Sequence, residues 1–158
     1  MNLLIRRMVE ADLPAVYEID RVSFSLPWPE RSFRFEVTDN PAARCWVVEA
    51  EEGRIAAMAV VWMIVDEAHL ATIATHPDFR RRGIGECLLA HVLRAAVAEG
   101  ALQSLLEVRA SNEAAQAMYR RFGYVEDGRR PRYYKDNYED ALLMSLDLTR
   151  FEQAGDGP

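Results

Sequence analysis

At 158 residues, 50% of them hydrophobic and with a net charge of −6, the chain can bury one core and has no overall attraction to nucleic acid or anionic membranes. Met1 to Val9 carries Arg6 and Arg7 rather than a signal peptide's apolar core, and no apolar run reaches membrane-spanning length. Cys45 and Cys87 have neither zinc-site spacing nor the numbers for a disulfide framework, so a cytoplasmic protein with reduced thiols is expected.

Leu3 to Arg7 reads as a first strand, followed by a helix from about Asp12, with Leu13, Val16, Tyr17 and Ile19 at helical spacing and Asp12 as its N-cap. A second, short helix is expected over Glu30 to Val37. Trp46-Val47-Val48 and the valine-rich run Ile55 to Val65 read as paired strands joined through a turn at Glu52-Gly53. The next strand, His69 to Thr75, stops at His76-Pro77, where proline removes a ladder donor and restricts the residue before it.

A long helix from Gly83 to Glu99 ends at Gly100, with Ile84, Leu88, Val92 and Ala95 facing the core. A strand over Ser104 to Val108 follows, then a helix capped by Ser111 or Asn112 and stopped by Gly123, and last strands at Tyr124-Val125 and Ala141 to Leu148. The order is βααβββαβαββ, a mixed α/β chain. Residues 1–150 read as one domain and 151–158, mostly Glu152 to Pro158, as a disordered tail.

The densest chemistry is Arg80-Arg81-Arg82-Gly83-Ile84-Gly85, between a strand and a helix start. Glycines let backbone amides approach an anion, the helix terminus adds partial positive charge, and arginines supply charge-assisted bonds, so a diphosphate fits. Leu88 stands where a dinucleotide fingerprint needs its third glycine, and no Gly-Lys-Ser/Thr follows, which sets NAD and ATP aside. By itself the loop is equally consistent with a solvated basic helix start.

Glu107 is the one acidic residue in the strand Leu105 to Val108, and a carboxylate there can take a proton from an amine or simply pair with an arginine. Tyr119 lies two helical turns beyond Asn112 and shares its helix face, so its phenol can meet a leaving group or serve as a core aromatic. Were that leaving group a thiolate, reference pKa values of about 10 for tyrosine and about 8.5 for a thiol favour hydrogen bonding over full proton transfer. His69, His76 and His91 fall on separate elements without ligand spacing, so no metal is expected, and the Leu88-Leu89 flank of Cys87 reads as packing.

Taken together, the Arg80 to Gly85 loop after Ile73-Ala74-Thr75, then Leu106-Glu107-Val108-Arg109, Asn112-Glu113-Ala114-Ala115, Met118-Tyr119 and Phe122-Gly123-Tyr124, resemble the GNAT superfamily of acetyltransferases across nearly the whole chain. Pro27 to Phe33, Leu106 to Asn112 and Arg132-Tyr133-Tyr134 followed by Glu139-Asp140-Ala141 resemble, within it, the ribosomal-protein-alanine N-acetyltransferases of the RimI type.

The resemblance implies an α/β (α+β) fold with a mostly antiparallel central sheet and helices on both faces. It implies acetyl-CoA as acetyl donor, with Ile73, Ala74 and Thr75 along the pantetheine, Arg81, Arg82, Gly83, Ile84, Gly85 and Glu86 at the pyrophosphate, and Asn112 touching the same molecule. Glu107 becomes the base and Tyr119 the acid of a direct transfer. The acceptor implied is a protein N-terminus, foremost the N-terminal alanine of a ribosomal protein, received between the Pro27-Trp28 loop and Tyr133-Tyr134. Thr75 departs from the apolar residue more common there in the family, and Lys135 to Tyr138 falls in a loop that varies among such enzymes. The rival readings are acetylation of a small amine or a lysine side chain, and an acyl-CoA sensor without catalysis, which would need neither Glu107 nor Tyr119.

Overall fold

The computed structural model describes residues 2–151. Strands β1 (Leu4–Arg7), β2 (Ala43–Glu49), β3 (Ile55–Ile64), β4 (Glu67–Thr75), β5 (Gln103–Arg109), β6 (Val125–Arg130) and β7 (Ala141–Asp147) form one sheet in the order β1-β2-β3-β4-β5-β7-β6. Four helices, α1 (Leu13–Ser23), α2 (Glu30–Thr38), α3 (Ile84–Ala98) and α4 (Glu113–Phe122), complete the expected βααβββαβαββ order. Among the described residues no helix is long and apolar enough to cross a membrane.

The side-chain alternation of a strand divides the core in two. Cys45, Val47, Met58 and Val60 pack with Leu13, Val16 and Ile19 of α1 and Phe33 of α2. Their neighbours Trp46, Val48, Ala57, Ala59 and Val61 pack on the opposite face with Ile84, Leu88, Leu89, Val92 and Leu93 of α3 and Tyr119 of α4. Both faces of β3 are therefore covered, which is why its sequence is a continuous apolar run rather than an alternating one. The buried face of α3 is wider than the expected stripe, taking in Leu89, Leu93 and Ala96, while Ala95 is only half-buried.

Asp12 does not cap α1. It precedes the helix with helical backbone angles and makes no side-chain bond to the first turn. Its carboxylate instead accepts both Arg6 guanidinium nitrogens at 2.8 Å and the Val9 N–H at 2.8 Å. A bidentate charged partner from β1 outcompetes the amides of the helix start. Asn112, by contrast, caps α4 as expected, accepting the Ala115 N–H at 3.2 Å, and Gly123 ends that helix at φ 105°. Phe151 packs against the core after β7; the rest of the expected tail lies outside the described residues.

All strand pairings are antiparallel except β4 with β5. That parallel register runs only from Glu67↔Gln103 to Leu70↔Leu106. Beyond it β4 stays with β3 and β5 with β7, so the two strands part and open the sheet. The register of β3 with β4 shifts at Ala71, a bulge that bends β4 at the point of divergence. Helices α3 and α4 both begin at the open end, so their unsatisfied N–H groups face the gap.

Candidate active site

A groove of about 610 Å³ lies between the end of β4, the loop that follows it, and the starts of α3 and α4. Ile73, Ala74, Thr75, Arg81, Gly83, Ile84, Gly85, Glu86 and Asn112 all line it, as the sequence led one to expect. Arg82 does not; its guanidinium lies over the Phe79 ring, 5.6 Å from the centroid. The loop turns through positive φ at Arg81 (65°) and Gly83 (74°). The amides of Gly83, Ile84, Gly85 and Glu86 have no backbone acceptor among the described residues, the first bond of the turn being Cys87 N–H to the Gly83 carbonyl at 3.0 Å. Four donors at a helix start form a cradle for an anion.

Side chains of the loop hold this shape. Arg80 does not face the groove as a free charge: it donates to the Thr75 carbonyl at 3.0 Å and the Ser23 hydroxyl at 3.1 Å, tying β4 and α1 to the loop. A Cβ on Gly85 would stand 3.3 Å from Thr75 Oγ1, so a glycine lets α3 start against β4. Glu86 is ion-paired with Arg121 of α4, and both line the groove. Arg121 was not foreseen, because beside Arg120 it reads as an ordinary basic C-terminal turn.

The groove borders a smaller chamber of about 230 Å³, for Phe24, Ile73, Asn112, Ala115 and Tyr119 line both. On its far side the chamber shares Trp28, Leu70, Ala71, Leu106, Glu107 and Tyr134 with a second groove of about 610 Å³. The three spaces thus adjoin one another along the gap between β4 and β5. Tyr119 stands at one junction and Glu107 at the other.

Tyr119 is 6% exposed and packs edge-on to Tyr124, so it is a core aromatic as well as a wall of the site. Its hydroxyl has no hydrogen-bond partner among the described residues. Burial, with Tyr134 nearby, holds its phenol above the ordinary tyrosine value. Glu107 is paired with an arginine, as the plainer reading of its strand had it: Arg130 Nε lies 3.2 Å away, and the Tyr133 hydroxyl donates to it at 3.3 Å. The carboxylate nevertheless remains open to both the chamber and the second groove.

Trp28, Tyr133 and Tyr134 line the second groove, whereas Pro27 is exposed and outside its wall. Three further residues bear on the site through contacts that the sequence does not record. Arg109 lies 3.9 Å over the Tyr134 ring and binds Asp136 at 3.0 Å and Glu139 at 3.3 Å, fastening residues 134–139 to the end of β5. Ser25 donates to Asp136 at 2.5 Å, joining the same segment to the loop after α1. Asp20 of α1, 2% exposed, lines the chamber; burial raises its carboxyl above the usual range, opposed by the Trp28 N–H donating to it at 2.7 Å. Nothing in the spacing marks Arg109 or Ser25, since each acts on a partner distant in the chain.

The model of the Acetyltransferase (GNAT) family matches residues 13–124. The ribosomal protein bS18-alanine N-acetyltransferase of Escherichia coli (strain K12) is 36% identical over 148 residues, covering 92% of this chain and 97% of that protein. The enzyme of that name from Salmonella typhimurium is 38% identical over 141 residues, covering 87% and 93%. Among solved structures, the ribosomal-protein-S18-alanine N-acetyltransferase from Escherichia coli superposes with a TM-score of 0.84 at 35% identity, covering 92% of this chain and 94% of that one. The chain belongs to the GNAT family of acetyltransferases and is an N-acetyltransferase.

Proposed function

We propose that this protein transfers an acetyl group from acetyl-CoA directly to the N-terminal α-amine of a protein, with the N-terminal alanine of ribosomal protein bS18 as the acceptor to which the relatives' names point. The observation that carries this reading is the row of three adjoining spaces along the split sheet, with Tyr119 in the wall between chamber and loop-side groove and Glu107 in the wall between chamber and open groove. The loop-side groove suits the donor. Its amide cradle fits a pyrophosphate, and the edge of β4 over Ile73 to Thr75, abandoned by β5, offers backbone groups to the pantetheine amides. Arg81 and Asn112 add side-chain contacts, and Glu86 contributes its amide rather than its carboxylate, which Arg121 neutralises. Bound there, the donor supplies the thioester.

The acceptor enters by the open groove between Trp28 and the Tyr133-Tyr134 segment. Glu107 takes the proton that the α-ammonium must lose, directly or through a water molecule, and the amine then attacks the thioester carbonyl. The Tyr119 hydroxyl, on the wall shared by the chamber and the loop-side groove, hydrogen-bonds the sulfur as the carbon–sulfur bond breaks. Its raised pKa keeps the O–H intact and widens the gap to a thiol, which favours hydrogen bonding over full proton transfer.

The test is acetylation of matched peptides by purified protein, followed by mass spectrometry. A peptide with a free N-terminal alanine is expected to be modified at its α-amine far faster than at an internal lysine, whose reference pKa of about 10.4 against about 7.7–8.0 makes deprotonation roughly 3.4 kcal/mol harder. Faster lysine modification, or turnover of small amines alone, overturns the acceptor assignment. Binding of acetyl-CoA with no turnover of any amine overturns the catalytic one.

A further inference from the structure

Behind the open groove lie two buried carboxylates with no part in the proposed proton transfers. Asp20 of α1 is 2% exposed and Glu36 of α2 is 8% exposed. Neither meets a cation among the described residues. Asp20 accepts the backbone N–H of Trp28 at 2.7 Å, and one oxygen of Glu36 accepts both the indole N–H of Trp62 at 3.0 Å and the Asn40 amide at 2.7 Å. Burying a carboxylate against neutral donors alone is unfavourable compared with an apolar side chain of similar size. What the carboxylate adds is a charge-assisted bond that fixes its partner's orientation.

The two partners are the two tryptophans of the groove. Trp28 and Trp62 stack with ring centroids 6.3 Å apart and planes at 12°, and Trp28 rests on buried Phe33 at 4.8 Å. Trp62 lines the open groove, and Trp28 lines both that groove and the chamber. An acceptor whose α-amine reaches Glu107 must place its first residue at that junction, against the indole pair.

We propose that Glu36 is a specificity-determining positioning residue: by holding the Trp62 indole flat against Trp28 it fixes one wall of the groove beside the chamber, so that acceptors with a small first side chain are selected. The inference rests on the reading of this groove as the site of a protein N-terminus. Without the bond to Glu36, the Trp62 ring gains other rotamers and Trp28 loses its stacked neighbour. The wall then yields to a larger side chain, while the loop-side groove and Tyr119, on the other side of the chamber, are untouched.

The experiment compares kcat/KM of the full chain for two peptides that differ only in the first residue, alanine or leucine. In the Glu36→Leu variant the alanine-over-leucine ratio is expected to fall by about tenfold or more, the size of discrimination an apolar pocket gives for added methylenes, mainly through a lower KM for the leucine peptide. The KM for acetyl-CoA should not move. Glu36→Gln, whose side-chain carbonyl still accepts the indole N–H, should retain the wild-type ratio. If Glu36→Leu does not fold, Trp62→Phe removes the N–H with Glu36 in place and should shift the ratio in the same direction. Peptide acetylation with an unchanged ratio in folded Glu36→Leu or Trp62→Phe overturns this inference alone. Wild-type protein that acetylates small amines but neither peptide overturns the acceptor reading and this inference with it.

Discussion

The Tyr119 hydroxyl lies in an almost fully buried ring whose packing does not need it. The edge-on contact with Tyr124, 5.6 Å between centroids, is made by carbon atoms, so phenylalanine fills the same space. Tyr119→Phe is therefore expected to leave the melting temperature and acetyl-CoA affinity nearly unchanged while kcat and kcat/KM fall together by about 10²–10⁴-fold, the mark of an interaction made mainly in the transition state. Steady-state kinetics with calorimetry for acetyl-CoA would check this, and a kcat within a few-fold of wild type would leave Tyr119 with packing alone. The thiols differ at the same scale. Burial, together with the Glu36 carboxylate, pushes Cys45 up to about 11, whereas Cys87 is exposed on α3. A thiol reagent at neutral pH should titrate one group rapidly, and Cys87→Ser should abolish that fast phase; a fast phase that survives would place the reactive thiol at Cys45.

At the scale of the element, the loop before α3 works through its backbone. Gly83 sits at φ 74°, where a β-carbon meets no atom within 4 Å, so a side chain there adds strain of about 1–2 kcal/mol but no clash. Gly83→Ala and Gly83→Glu should thus show similar, modest losses of stability. Only Gly83→Glu, which puts a negative charge into the amide cradle, should lose acetyl-CoA binding in calorimetry. Equal affinity in the two folded variants would mean that the pyrophosphate is held elsewhere. The loop was legible in the sequence because glycine spacing and a following helix are local features. The same local pattern does not tell which of three consecutive arginines lies over Phe79, as Arg82 does.

For the whole molecule, two aspartates near α1 should give the stability curve opposite slopes. Burial acts to raise Asp12, but the hydrogen bonds from Arg6 and the Val9 N–H outweigh it and hold its carboxyl below the usual range. A carboxylate depressed in the folded state stabilises above the unfolded value of about 3.9 and loses that contribution as pH falls through the folded one. Asp12→Asn should therefore cost roughly 1.5–3 kcal/mol at neutral pH, a deficit that closes below about pH 4. Asp20 is shifted the other way, so the folded state binds its proton more tightly and stability declines as pH rises from about 3.9 through the raised value. Asp20→Asn still offers an oxygen to the Trp28 N–H and should gain on wild type across that range, ending equal or more stable at pH 7. Urea unfolding of the two variants between pH 3.5 and pH 7.5, on a grid of about half a unit, reads both slopes; parallel slopes would refute the assignment.

The order of elements, the glycine loop and the Asn112–Tyr119 helix face were all legible in the chain, because each depends on periodicity or on neighbours within two helical turns, whereas helices on both faces of the sheet were implied by the family resemblance. The same local logic misread Asp12, whose cap position was right but whose carboxylate answers to Arg6 on another strand. Only the tertiary structure decided where β4 and β5 part. Their register ends at Leu70↔Leu106 because each strand keeps its other partner, a competition between pairings that no single segment records. That divergence creates the chamber and sets Glu107 and Tyr119 at its two ends. It was the fold, too, that brought Arg109 to Asp136 and Glu139, and Glu36 to Trp62, since charged and indole hydrogen bonds act through space and leave no trace in spacing along the chain.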